Sequence, residues 1–81
     1  MNSKKTTGDL NQINNRKRSV VISGHRTSVS LEQVFWDQLI VLAKEKDLSI
    51  NQLITKIDKN RVGGLSSAIR VFIVLELLKE K

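Results

Sequence analysis

A mainly α fold carrying one short β-ribbon is the class this sequence predicts, and three observations predict it. Residues 19–31 are β-branched or alternate strictly between polar and apolar side chains. Two Ser-x-x-Gln patterns, Ser30–Gln33 and Ser49–Gln52, each open a run with helical apolar spacing. A third apolar run with helical spacing follows Gly63-Gly64. With 81 residues in all, these elements make one small domain with little core to give up to an enclosed cavity.

Residues 1–16 are rich in Asn, Lys and Thr and carry hardly an apolar side chain, so they are expected to form a disordered basic N-terminal tail ahead of a domain at 17–81. The strand region, 19–31, begins with Ser19-Val20-Val21-Ile22-Ser23, is punctuated by Gly24-His25, and continues with Thr27, Val29 and Leu31 on one face and Arg26, Ser28 and Ser30 on the other. His25 is expected to serve the turn. Helix A is predicted over 31–46, with Ser30 as its cap, a stripe of Phe35, Leu39, Leu42 and Ala43, and a second row in which Trp36 is expected to pack against the last helix. Helix B is predicted over 50–60, with Ile50, Leu53, Ile54 and Ile57 on one side. Helix C is predicted over 66–79, opened by Ser66-Ser67; its segment 71–75 could equally be a buried strand, and its length and polar end favour a helix.

The composition excludes several chemistries. There is no cysteine and only one histidine, so neither a disulfide framework, a thiolate zinc site nor an imidazole cluster can be built, and no metal or cofactor is expected. Serines stand without a signalled base or oxyanion hole, which argues against an enzyme. No apolar stretch approaches the ~18 residues of a membrane span, and the tail has no amphipathic face to lie on a bilayer, so a soluble, cytoplasmic protein is expected.

The formal charge of +6 is unevenly placed: Lys4, Lys5, Arg16, Lys17, Arg18 and Arg26 face Asp9 alone in residues 1–27. Charge of one sign on one segment attracts a polyanion. A single short strand, moreover, is unstable in water, and the simplest remedy is the same strand of a second copy, paired antiparallel about a two-fold axis. Such a homodimer would expose Arg26, Ser28 and Ser30 of both chains on a two-stranded ribbon that fits the major groove of double-stranded DNA, where Arg reads guanine bidentately. Ser30 has a structural duty as cap that its hydroxyl could share with a base. Lys17 and Arg18 beside the ribbon are candidates for phosphate, as is the helix B start at Ser49, Ile50 and Asn51, whose free amides make an anion site.

Arg26-Thr27-Ser28-Val29-Ser30-Leu31, the Phe35/Leu39/Leu42/Ala43 helix and Asp47-Leu48-Ser49-Ile50-Asn51 together resemble the ribbon-helix-helix DNA-binding proteins of the Arc and MetJ type over residues 26 to about 58. The last stretch is similar to that family's Gly-x-Ser-x-Asn turn, with Asp47 where glycine is commoner. Over residues 17–78 the chain resembles a subgroup of short bacterial ribbon-helix-helix proteins. The resemblance implies an intertwined homodimer with an extra C-terminal helix and base reading by Arg26, Ser28 and Ser30. It also implies phosphate contacts at Lys17, Arg18, Ser49, Ile50 and Asn51, and a dimer core of Val29, Leu31, Phe35, Leu39, Leu42, Ile50 and Ile54. The function implied is a sequence-specific DNA-binding transcriptional regulator, with higher-order assembly on DNA open. The alternative is an antitoxin-like or scaffold module that docks a protein partner through helix C. Residues 19–23 have no counterpart in the minimal family: they could pair with 26–30 as a hairpin within one chain, or be the ribbon themselves with Ser19, Val21 and Ser23 outward. Because 26–30 abuts helix A directly, it is the preferred ribbon.

Overall fold

The computed structural model describes residues 12–79. Its order is β1 (Asn15–Ile22), β2 (His25–Glu32), α1 (Gln33–Glu45), α2 (Ile50–Lys59) and α3 (Leu65–Lys79). Residues 1–11 of the expected tail lie outside the described residues, while Asn15 and Arg16 belong to β1.

The two strands form an antiparallel hairpin within one chain, in register from Asn15 opposite Glu32 to Ile22 opposite His25. The two-residue loop, Ser23-Gly24, has φ of 51° and 82°. Two positive φ values in succession are the signature of a type I′ turn, whose twist matches that of the strands it joins. Of the pairings open to residues 19–23, the intrachain hairpin is the one adopted. The turn chemistry explains the outcome, because closing two residues costs far less entropy than recruiting another molecule.

The inner face of the hairpin supplies Val20, Ile22, Val29 and Leu31 to the core. Beneath it lie Trp36, Leu39, Leu42 and Ala43 of α1, Leu53, Ile54 and Ile57 of α2, and Ile69 and Ile73 of α3, with Phe35, Leu48, Ile50, Leu65, Ala68 and Phe72 packed around them. The buried rows of α1 and α2 follow the predicted spacing. Residues 71–75 lie within α3, so the strand alternative is not taken up.

Two local expectations are corrected. Ser30 is not a cap: β2 continues to Glu32, which occupies the N-cap position of α1 without a side-chain bond to it. The strand persists because its ladder does, with the Gln33 amide donating to the Asn14 carbonyl at 2.8 Å. Ser66 and Ser67 are not caps either, since the Ala68 amide donates to the Gly64 carbonyl at 3.0 Å and the helix already begins at Leu65. Trp36 is in the core, 1% exposed, and its polar partners lie on β1: its indole N–H donates to the Arg16 carbonyl at 2.9 Å, and the Arg18 guanidinium lies 5.2 Å from its ring centroid. On the other side, the Arg70 guanidinium of α3 lies 5.8 Å from the Phe35 ring centroid.

The turn from α1 to α2 explains an anomaly of the sequence. Asp47 has φ of 60°, the Leu48 amide donates to the Ala43 carbonyl at 2.8 Å, and the Asp47 amide donates to the Lys44 carbonyl at 3.0 Å. That is a Schellman motif with an L-residue at the left-handed position glycine favours, and aspartate is among the few that tolerate it. Leu48 then packs on the core, and α2 opens with a complete capping box. In it the Ser49 hydroxyl accepts the Gln52 amide at 3.0 Å, and the Gln52 side-chain oxygen accepts the Ser49 amide at 2.8 Å.

Candidate nucleic-acid interface

Residues directly opposite in an antiparallel ladder share a face. Ser19 stands opposite Ser28, Val21 opposite Arg26 and Lys17 opposite Ser30, so all six side chains project from the outer face of the hairpin. Arg26, Ser28, Lys17, Ser19 and Val21 are exposed and Ser30 is half-buried. The predicted base-reading residues therefore lie together on one solvent-facing ribbon, and Lys17 joins them. Ser19 and Val21, named in the sequence only as part of an alternative ribbon, complete the same face. One hairpin thus carries both candidate ribbons at once. His25 closes the turn opposite Ile22.

Arg18 turns to the other face, where its guanidinium lies over Trp36. There it meets the start of α2: a cleft of about 260 Å³ between β1 and α2 is lined by Arg18, Trp36, Ser49, Ile50 and Asn51 among others. Residues of the first turn of α2 and Arg18 thus line one space, and a helix N-terminus beside a guanidinium suits an anion electrostatically. The Asn51 side chain ties the start of α2 to the ribbon, since its Oδ1 accepts the Val21 amide at 3.2 Å. That contact could not be read from the sequence, because it joins residues 30 positions apart. It leaves the Asn51 Nδ2 as the donor still available to a phosphate oxygen.

The ladder also decides which backbone groups stay open. Since Gln33 and Asn14 form a hydrogen-bonded pair, alternation directs the N–H and C=O of Arg26, Ser28 and Ser30 away from β1, towards the outer edge of β2. The sheet has two strands among the described residues, so that edge meets no further strand there. At the end of β2, Glu32 is held by Arg70 of α3 through bonds of 2.9 and 3.4 Å. The Arg70 hydrogen bonds hold the Glu32 carboxyl below its usual range. The residues expected to form a dimer core lie in this chain's own interior: Val29, Leu31, Leu39, Leu42 and Ile54 are buried, and Phe35 and Ile50 half-buried.

A sequence model of the ribbon-helix-helix domain matches residues 15–77. The chain belongs to the ribbon-helix-helix domain family. That domain is a non-enzymatic fold whose members are commonly DNA-binding regulators or antitoxins. The match covers every strand and all but the end of α3. Among solved structures, the chain is similar to an uncharacterized protein from Bordetella pertussis Tohama I, with a TM-score of 0.73 and 24% identity over 99% of this chain and 72% of that one. At that identity the likeness shows the fold. No curated protein matches the chain significantly. No helix among the described residues is long and apolar enough to cross a membrane.

Proposed function

We propose that this ribbon-helix-helix chain is a sequence-specific DNA-binding transcriptional regulator that acts as a homodimer and reads the major groove with Arg26, Ser28 and Ser30. The observation that carries the reading is the outer face of the hairpin, where these residues and Lys17 stand on one exposed ribbon. The open edge of β2 supports the dimer: two such edges paired antiparallel would bring Arg26, Ser28 and Ser30 of both copies side by side. Strands about 4.8 Å apart put the two central strands within a groove about 12 Å wide and the flanking β1 strands against its walls. Lys17 then falls beside phosphates. Arg18 and the start of α2 stand further out on the same flank, as a pair of backbone clamps.

The outer face is short of long side chains, so phosphates contribute most of the affinity and Arg26 most of the direct discrimination. The test is selection of bound duplexes from a random library at roughly 0.15 M salt, where exposed charges are screened over ~8 Å. The expected result is enrichment of a half-site repeated about a two-fold axis. Failure to enrich any sequence, with binding that vanishes as salt rises, overturns the reading in favour of nonspecific binding. The antitoxin-like alternative draws on the exposed aliphatic side chains of α3. Against it, α3 is folded into the core through Ile69 and Ile73 instead of trailing free.

A further inference from the structure

The outward side of α3 is as apolar as its inward side. Ile69 and Ile73 are buried, yet Val71, Val74, Leu75 and Leu78, at i, i+3, i+4 and i+7, form a continuous exposed row. Beside it runs a groove of about 710 Å³ between α2 and α3, floored by Leu53, Ile57 and Phe72 and edged by Val71, Leu75 and the loop residue Val62. Val62 is 96% exposed. A helix that is apolar all round belongs in an interior, and a small chain rarely leaves such a surface in water.

We infer that this face is an interface between two copies of the chain, formed by α3 packed antiparallel on α3 of the second copy, and that it is separate from the ribbon edge used in the DNA reading. The surface is self-complementary. With a two-fold axis between Val74 and Leu75, residue pairs follow the isologous rule, so that Leu78 of each copy lies over Val71 of the other and enters the end of the groove at Val62. The i, i+3, i+4, i+7 spacing is the one that packs ridges into grooves between antiparallel helices. The exposed parts of Val62, Val71, Val74, Leu75 and Leu78 amount to roughly 500 Å² per copy, so a pair reaches the ~1,000 Å² expected of a biological interface before the groove walls are included.

The rim of this face is only partly neutralised within the chain: Lys46 and Lys79 share the single carboxylate of Glu76 at 3.1 Å each, Arg61 pairs with Asp58 at 2.6 Å, and Lys56 lines the groove without a carboxylate partner among the described residues. It is the apolar area, not charge, that favours a second copy.

The chain contains no cysteine, which makes the test direct. Val74→Cys, beside the inferred axis, is oxidised in the full chain and compared with Val41→Cys on α1; the two side chains are equally exposed at 46%. The expected result is a disulfide-linked dimer that forms at least tenfold faster from Val74→Cys. Sedimentation of wild type and Leu78→Glu over a range of concentrations gives the second reading, with folding of the variant checked by circular dichroism. The variant is expected to lose one doubling of mass, whether from dimer to monomer or from tetramer to dimer. Equal cross-linking at the two positions, or a wild type with the same mass as a folded Leu78→Glu, overturns the interface. Neither result bears on the duplex selection, so failure here and failure of the DNA reading are separable.

Discussion

Replacing Trp36 by Phe isolates what holds β1 to the helices. The indole is 1% exposed, donates to the Arg16 carbonyl at 2.9 Å and lies under the Arg18 guanidinium. Phenylalanine keeps an aromatic ring in the site but loses the donor and the second ring. The lost hydrogen bond costs about 1 kcal/mol, because the Arg16 carbonyl keeps its ladder partner and is not orphaned. The volume no longer filled costs about 1 kcal/mol, and the weakened cation–π contact up to about 0.5 kcal/mol. The expected loss is therefore about 2–2.5 kcal/mol, or a fall in Tm of roughly 8–20 °C for a domain of this size. Urea and thermal unfolding followed by far-UV circular dichroism measure it in both proteins; fluorescence does not serve, because Trp36 is the only tryptophan. Amide exchange in β1 should accelerate more than in α2. A loss below about 0.5 kcal/mol, the size of an ordinary surface substitution, would refute the indole as the anchor of β1.

Arg26→Ala should cost about 1–3 kcal/mol on the selected duplex and little on random DNA, whereas Lys17→Ala and Arg18→Ala should weaken all duplexes and reduce the salt slope by about one each. Equal losses for Arg26→Ala on both duplexes would make it a phosphate contact. Ser49→Ala removes the α2 cap and should destabilise the fold by about 1 kcal/mol, read by urea titration. Asp47→Gly should raise stability by about 0.5–1 kcal/mol, because glycine adopts the left-handed conformation without a Cβ penalty; an unchanged or lower midpoint would show that the aspartate side chain compensates. Hydrogen bonds from Arg70 hold the Glu32 carboxyl below its usual range, and those from Lys79 and Lys46 do the same for Glu76. For such depressed carboxyls the stabilisation is complete above the ordinary carboxylate pKa and is lost as pH falls through the folded-state value. Glu32→Gln should therefore flatten the acid limb of the stability profile, and an acid limb identical to wild type's would dismiss the pair as a contributor.

The sequence by itself determined the helices and their buried rows. Apolar spacing places Leu39, Leu42, Ile54 and Ile57 inward whatever surrounds them, and the Ser49–Gln52 box sets the start of α2 through bonds that span three residues. It also determined the alternation of 26–31, and so which side chains face the solvent. The first half of β1 was not legible. Asn15, Arg16, Lys17 and Arg18 have no apolar alternation, and they are extended because β2 pairs with them and Trp36 grips the Arg16 carbonyl. Ser30 and Gln33 satisfied the local rule for a helix start, yet the ladder carried the strand two residues beyond it. In α3 only the packing of α1 and α2 chose Ile69 and Ile73 for the core and left Val71 and Leu75 outside. The Asn51 link to Val21 and the Arg70 link to Glu32 belong to the same class. Local rules act over three or four residues, whereas which partner meets a given face is settled by elements 20 to 40 residues away, and that is information only the tertiary structure holds.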